Sequence, residues 1–352
     1  MRIADRPIGL AERPYIIAEM SGNHDGSLET ALQIVDAAAE AGADAVKLQT
    51  FTADSMTLDL DHPDFVISNP DSLWLGRRLH DLYEEAHTPW DWHAPIFARA
   101  AERGMACFSS PFDEEAVDFL VDVGVPALKI ASLENVDLPL IRYAAATGLP
   151  LIISTGLATE DEVAAAAEAA RSAGCTQLAI LKCTASYPAD PAQSHVRTIP
   201  DMRARFDCEV GLSDHTMGIG VPLAAIAMGA VIIEKHVTMS RAGGGVDAAF
   251  SLEPQELASL VTESVRAHQA LGEVHYGPVP GEAGALLRRR SLYFVEDVAA
   301  GTTLTAEHVR RIRPGKGLSP KHYEQVLGSR TLTDISRGTP VSWDLIDAEP
   351  EA

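Results

Sequence analysis

The sequence predicts a TIM (β/α)8 barrel followed by a small C-terminal domain. Short β-branched or apolar runs alternate with Ala-rich helical stretches through the first 240 residues, and there are eight such runs. Eight strand–helix units over roughly 260 residues match this barrel in number and size. A doubly wound sheet is the alternative, but no G-x-G-x-x-G turn follows the first run.

The repeating units can be placed along the chain one by one. The predicted strands are residues 15–20, 44–49, 105–110, 126–132, 151–156, 177–183, 208–214 and 230–236. The predicted helices are residues 28–42, about 77–103, 114–124, 138–148, 159–174, 195–206, 219–229 and 253–272. Several of these helices end in Gly, which is the preferred residue just beyond a helix C-terminus. The insertion at 52–74 is too long for a simple turn, so we expect a functional loop.

The composition changes after residue 272, where EVHYGPVPGEAGA is rich in Gly and Pro and has no period. We therefore predict a barrel domain over 1–272, a linker over 273–287 and a second domain over 288–352. Residues 288–344 carry ten Lys or Arg against six Asp or Glu, whereas the whole chain carries a net charge of −22. A basic module beside an acidic barrel predicts electrostatic docking, within one subunit or across a dimer.

The overall charge and the cysteines limit the classes of partner. A net charge of −22 argues against nucleic acid or an anionic membrane as the main partner. The N-terminus has no apolar leader segment, and no run of eighteen apolar residues occurs. Four cysteines without a C-x-x-C pair indicate reduced thiols. We expect a cytoplasmic protein.

Four lysines lie in or at the ends of four different apolar strands, at positions 47, 129, 182 and 235. Active sites of TIM barrels lie at these carboxyl ends of the strands. Any single buried lysine is as readily explained by a structural salt bridge. Together, however, those that point inward predict a cationic pocket for a substrate that bears phosphate or carboxylate.

Two histidines, His215 and His236, end the seventh and eighth predicted strands, which are neighbours in a barrel. Two imidazoles with no adjacent Cys predict a divalent metal that keeps open positions for water and substrate. Roles as a general acid or as a hydrogen-bond anchor stay open, because histidines at strand ends serve those purposes too. A metal at this place would polarise a carbonyl oxygen beside the cationic pocket.

A dozen motifs in order, among them IAEMSGNHDGS, GADAVKLQT, ISTG, LKCTASYPA, GLSDHT, IEKHVT and RPGKGLSP, resemble the sialic acid synthase family over essentially the whole chain. The forms EMSGNH, LYEEAHTPW and FSSPFD are most similar to its pseudaminic acid synthase branch. The resemblance implies a TIM barrel with a C-terminal antifreeze-like (SAF) domain in a domain-swapped homodimer. It further implies condensation of phosphoenolpyruvate with an open-chain acetamido sugar, with a divalent cation such as Mn or Mg.

The same resemblance implies roles for individual residues. His215 and His236 match the metal-holding positions, and Glu134 matches a carboxylate near the reacting carbons. Phosphoenolpyruvate-binding positions are matched by Lys47, Lys129, Ser132, Ser154 and Ser213, and by Ser109 or Ser110. Sugar-contacting positions are matched by Glu19, Tyr187, Asp247 and Asn69, with Glu19 also among the catalytic groups. Arg313 matches an arginine that reaches into the partner's barrel. Ala185 replaces the Asn of the neuraminate enzymes, so that hydrogen bond is absent or replaced.

The N-acetylneuraminate and legionaminate branches are the alternatives within the family, and two other classes also remain. A non-catalytic barrel that binds sugars or assembles with other proteins would not need the metal and lysine residues together. A metal-dependent aldolase or hydrolase would keep the histidines and the cationic pocket but would not require the C-terminal domain. Phosphate release with and without phosphoenolpyruvate separates these classes.

Overall fold

The structure is a computed structural model that describes residues 1–70 and 72–349. The chain folds into two compact units, residues 1–272 and residues 273–352. Asp71 in the predicted functional loop and residues 350–352 of the predicted C-terminal domain lie outside the described residues. Among the helices that are described, none is long and apolar enough to cross a membrane.

The first unit is built on a closed barrel of eight parallel strands, which confirms the predicted TIM barrel. Its strands are β1 (Tyr15–Glu19), β2 (Ala45–Thr50), β3 (Ala106–Pro111), β4 (Leu128–Ile130), β5 (Leu151–Ser154), β6 (Leu178–Cys183), β7 (Glu209–Asp214) and β8 (Ile232–His236). Each strand pairs with the next one along the chain. The barrel closes where β8 pairs with β1, in a register that sets His236 opposite Glu19.

Ten α-helices accompany the strands in the described part of this unit. They are α1 (Leu28–Ala41), α2 (Ala53–Met56), α3 (Leu79–Ala86), α4 (His93–Glu102), α5 (Glu114–Val123), α6 (Leu138–Ala146), α7 (Glu160–Ser172), α8 (Thr198–Phe206), α9 (Gly220–Ala227) and α10 (Pro254–Leu271). The expected Gly C-caps occur after α1 and α5. Gly42 and Gly124 adopt left-handed φ values of 84° and 85°, which glycine reaches without a Cβ clash.

Local chemistry explains where the structure departs from the predicted elements. The helical segment predicted over about 77–103 is interrupted between α3 and α4, because Pro89 lacks an N–H and disfavours helical conformation in the residue before it. The insertion at 52–74 contains α2 and a 3-10 turn at Pro63–Phe65. An additional hairpin pairs Arg2–Ile3 with Arg6–Pro7, and strands of two residues are too short to produce a detectable period.

The second unit has its own small apolar core. Strand β9 (Ser291–Phe294) pairs antiparallel with β10 (Val309–Ile312), and Leu292, Phe294 and Val309 are buried. The stretch expected as a linker contains the short helix α11 (Ala283–Leu286), and a last one-turn helix, α12, spans Tyr323–Val326. Arg313 follows β10 and is exposed to solvent.

Candidate active site

The carboxyl ends of the barrel strands surround one cavity of about 440 Å³. Twelve of the fifteen residues predicted for the site line it: Glu19, Lys47, Asn69, Lys129, Ser132, Glu134, Ser154, Tyr187, Ser213, His215, His236 and Asp247. They come from six of the strands and from loops at the same end of the barrel, among them the loop after β6 that carries Tyr187. The cavity is therefore a product of barrel closure, because it brings together residues more than 200 positions apart in the sequence.

Two lysines and two carboxylates form an ionic network at the base of the cavity. Lys47 Nζ lies 2.6 Å from Glu19 Oε2, and Lys129 Nζ lies 3.8 Å from Glu234 Oε1. Glu234 Oε2 also lies 4.0 Å from Lys47 Nζ, and Ser213 donates a hydrogen bond to Oε1 at 3.0 Å. Burial lowers the pKa of Lys129, so an anion placed beside it would favour its charged form. The pocket thus holds positive charge together with its own counterions.

The other two strand lysines lie outside this cavity. Lys235 is almost fully buried, and its Nζ donates to Asp214 Oδ2 at 2.7 Å and to the Gly218 carbonyl at 3.0 Å. Lys182 Nζ donates to the Cys183 carbonyl at 2.8 Å. Side chains alternate between the two faces of a strand, which is why adjacent polar residues on β8 serve different purposes. Of the four lysines, only Lys47 and Lys129 line the cavity.

Several buried polar atoms at the cavity have no hydrogen-bond partner within the described residues. They are Ser154 Oγ, Glu134 Oε2, His236 Nδ1 and Glu234 Oε2. Burial also raises the pKa of Glu134, which strengthens this carboxylate as a proton acceptor. Unsatisfied polar atoms are rare in folded interiors, and here they occur together. A polar ligand that enters the cavity would satisfy them.

His215 and His236 approach each other at the mouth, with ring centroids 5.3 Å apart. The Thr184 carbonyl lies 2.9 Å from His215 Nδ1, so in the neutral imidazole Nδ1 carries the proton and Nε2 keeps a lone pair. Burial opposes protonation of His215, but its contact with the Cys183 thiol raises its pKa, so a cation at Nε2 would bind in competition with a proton. Burial holds the pKa of His236 well below its usual value, and this imidazole is therefore neutral. Two imidazoles with available lone pairs suit a divalent cation.

No group of three or more His, Cys, Asp or Glu within the described ranges is arranged to hold a metal by itself. A cation held by His215 and His236 alone would leave its remaining positions to water and substrate oxygen. Asp247 stands close by, with Oδ2 3.6 Å from His236 Nδ1, and this carboxylate accepts a hydrogen bond from Ser21 at 2.6 Å.

Three predicted residues do not line the cavity. Ser109 points away from it, because its hydroxyl lies 2.6 Å from Thr50 Oγ1, which in turn contacts His93 Nε2 at 2.7 Å. Ser110, on the opposite face of β3, accepts a hydrogen bond from Lys47 Nζ at 3.1 Å and so supports the cationic group directly. Of the pair left open by the sequence, Ser110 is the one adjacent to the site. Arg313 belongs to the second unit.

Ala185, where the sequence departs from the neuraminate pattern, packs beside a serine of the cavity. The Gly156 N–H donates to Ser132 Oγ at 3.0 Å, and the Ser132 hydroxyl also bonds to the Cys183 thiol. A Cβ built on Gly156 would stand 2.8 Å from Ser132 Oγ and 2.9 Å from the Ala185 Cβ. These three positions fill one tightly packed space.

Sequence reasoning missed two features of the cavity. Glu234 is assigned no role from the sequence, although it lies two residues before His236 and therefore shares its face of β8. The other feature is a set of apolar side chains along one side of the cavity. Three of them, Met56, Ile67 and Trp74, belong to the insertion at 52–74, whose irregular sequence carries no periodic signal.

Comparisons with known proteins agree with this architecture. Residues 34–276 match the NeuB family, and residues 289–347 match the SAF domain expected from the sequence. A pseudaminic acid synthase of Campylobacter jejuni (strain 81-176) is 41% identical over 330 residues, which cover 93% of this chain and 95% of that protein. A pseudaminic acid synthase of Helicobacter pylori is 36% identical over 340 residues, covering 96% and 99%.

A crystal structure of an N-acetylneuraminic acid synthetase from Leptospira borgpetersenii, in complex with citrate, shares the fold. It superimposes with a TM-score of 0.72 at 31% identity, covering 81% of this chain and 94% of that one.

Replacement of Lys235 by Met should lower the free energy of unfolding by about 3–5 kcal/mol, because Asp214 would stay buried and charged without its partner. The double variant Lys235→Met, Asp214→Asn should recover much of that loss. Lys182→Met is the matched control, since no buried carboxylate would be left unpaired. Urea denaturation of the full chain measures all three. Equal losses from Lys235→Met and Lys182→Met would show that the ion pair is not the source of the stability.

Proposed function

The chain belongs to the NeuB family, and from this premise we propose that it is a pseudaminic acid synthase. It joins phosphoenolpyruvate to 2,4-diacetamido-2,4,6-trideoxy-L-altrose with release of phosphate, so it is a transferase that forms a carbon–carbon bond. The observation that carries the proposal is 41% identity to a pseudaminic acid synthase over 93% of the chain. The cavity supports it, because anion-binding and proton-accepting groups line the same space.

Phosphoenolpyruvate would bind at the polar base of the cavity. Lys47 and Lys129 supply positive charge, and the Ser154 hydroxyl supplies a hydrogen bond to a phosphate or carboxylate oxygen. The hydroxyls of Ser132 and Ser213 would turn toward the ligand, because without it they bond to Cys183 and Glu234. Ser154 Oγ has no partner within the described structure, and this is consistent with a place for a ligand oxygen. The entropy loss of ordering these side chains occurs when the chain folds. The site is therefore preorganised for the anion.

Charge balance supports a requirement for a divalent cation. Glu19 and Glu234 already offset the two lysines, so an anionic co-substrate brings negative charge that the side chains described here do not neutralise. His215 and His236 would hold the cation. When bound, a divalent cation such as Mn or Mg polarises the aldehyde oxygen of the sugar as a Lewis acid.

The side chains of the cavity divide the remaining work. The polar base orients phosphoenolpyruvate so that its methylene carbon attacks the aldehyde carbon of the sugar. Water then adds to the former enol carbon, and the resulting tetrahedral centre expels phosphate. Glu134 is placed to accept the proton of that water, and its raised pKa suits this role. Tyr187, Asp247, Asn69 and Glu19 would contact the sugar.

The alternative functions differ in which residues of this cavity they require. N-acetylneuraminate and legionaminate synthases would share the base and the histidines, so they are distinguished by the sugar alone. A non-catalytic sugar-binding barrel would not need two buried lysines beside a carboxylate whose pKa burial raises. A metal-dependent aldolase or hydrolase would not need phosphoenolpyruvate.

The assembly and location proposed here follow the sequence predictions. A domain-swapped homodimer would let the exposed Arg313 of one subunit serve the barrel of the other. The four free cysteines are consistent with a cytoplasmic location.

Phosphate release tests the proposed reaction. The purified chain, with phosphoenolpyruvate and Mn2+, should have its highest kcat/KM on the altrose-configured diacetamido sugar, and up to about a hundredfold less on N-acetylmannosamine. Omission of either substrate should abolish phosphate release. Equal or higher kcat/KM for N-acetylmannosamine or for the legionaminate precursor would make the branch assignment wrong.

Removal of either histidine should remove metal binding and turnover together. We expect His215→Ala and His236→Ala to reduce phosphate release by at least about a hundredfold and to weaken Mn2+ binding measured by electron paramagnetic resonance. His275→Ala, at an exposed position, is the control. Undiminished Mn2+ binding by both folded variants would exclude this pair as the metal site.

Subunit mixing tests whether Arg313 acts in trans. Arg313→Ala and His236→Ala are each expected to be inactive, but exchanged dimers contain one intact site each, so about a quarter of wild-type activity should return. Mixing His236→Ala with His215→Ala should restore none, because both changes lie in the barrel. Failure to recover activity despite demonstrated subunit exchange would mean that the tail acts on its own barrel.

A further inference from the structure

The cavity has two chemically different sides. Its base is ionic, whereas one flank is built by apolar side chains that we call the apolar wall. These are Phe51, Met56, Ile67, Trp74, Leu79 and Phe112. All but Phe112 belong to the stretch between β2 and the end of α3. The wall is therefore an added element of the barrel mouth and does not belong to the strands that carry the ionic network.

Aromatic packing holds the wall at one end. Phe51 is buried, and its ring contacts Tyr83 and Phe112 edge to face, with centroids 5.9 and 5.2 Å apart. Such edge-to-face pairs add stability beyond the burial of their surface. This end of the wall is fixed to α3 and to the loop after β3.

Trp74 anchors the wall at the other end. Its indole N–H donates to the Val246 carbonyl at 3.1 Å, and its ring lies 6.0 Å from that of Tyr187. Val246 precedes Asp247, one of the residues proposed to contact the sugar. The insertion thus contacts the loop after β8, and both segments line the part of the cavity where a sugar would bind.

The two sides of the cavity suit two different substrates. Phosphate and carboxylate oxygens belong at the ionic base, so the apolar wall is left for the sugar. Contact with water is unfavourable for half-buried apolar side chains, and a ligand that covers them with its own apolar surface gains from that burial. On a 2,4-diacetamido-2,4,6-trideoxyhexose, this surface is the C6 methyl and the methyl of the second acetamido group.

Resting on the proposed function, we infer that the apolar wall is a methyl-binding subsite that selects trideoxy diacetamido sugars over sugars with hydroxyls at C4 and C6. N-acetylmannosamine would place those hydroxyls against side chains that offer no hydrogen bond. The wall distinguishes methyl groups from hydroxyls, but it does not distinguish one configuration of the sugar carbons from another. It therefore does not separate the altrose sugar from the legionaminate precursor, which carries the same substituents.

Polar replacements of similar shape test the wall. In Met56→Gln and Leu79→Asn, kcat/KM for the altrose-configured sugar should fall about tenfold or more, while that for N-acetylmannosamine should stay unchanged or rise. KM for phosphoenolpyruvate should not change, because its site is at the ionic base. Leu75→Asn is the matched control, since Leu75 lies in the same stretch between β2 and α3, has 53% of its surface exposed and does not line the cavity.

The possible outcomes distinguish failure of the inference about the apolar wall from failure of the proposed function. If folded Met56→Gln and Leu79→Asn reduce activity on both sugars equally, or change neither, the wall does not select methyl groups. Met56→Leu, which keeps an apolar side chain, should retain the wild-type preference, and its loss would also contradict the inference. If Leu79→Asn unfolds, Met56→Gln decides alone, because Met56 lies in a short surface helix. A wild-type enzyme that releases no phosphate with any acetamido sugar would instead overturn the proposed function.

Discussion

Two ammonium groups buried inside the barrel require carboxylates beside them, and this requirement governs the arrangement of the site. Lys47 and Lys129 come from β2 and β4, whereas Glu19 and Glu234 come from β1 and β8. The four meet only because β8 pairs with β1 and closes the sheet. A shift of one residue in any of these strands would turn its charged side chain away from the interior. Folding of the barrel and assembly of the anion-binding base are therefore one process.

The sequence predicts the barrel and most of the residues that line its cavity. The period of strands and helices predicts the barrel because each strand is a short buried run and each helix buries one face. The two-residue period of a strand also explains which polar side chains meet. Glu234 and His236 face the cavity while Lys235 faces away, and Ser110 supports Lys47 while Ser109 does not. Applied to every strand, this rule would have assigned Glu234 to the site.

The apolar wall could not be predicted in the same way. Half of its side chains, Met56, Ile67 and Trp74, belong to the irregular insertion at 52–74, where no period relates one residue to the next. Their positions depend on contacts with distant parts of the chain, as when Trp74 reaches the Val246 carbonyl. The barrel thus separates two tasks. Rigid strand ends carry the groups that an ionic reaction needs, while an inserted segment supplies the shape and polarity that distinguish one sugar from another.

The crowding of Gly156 against Ser132 and Ala185 has an evolutionary consequence. No side chain fits at position 156 while both neighbours keep their places, because its Cβ would meet Ser132 and Ala185 at less than 3 Å. Substitutions at these positions are therefore not energetically independent. Across related sequences, a side chain at position 156 would be accepted only in backgrounds where Ser132 or the residue at 185 has already moved away.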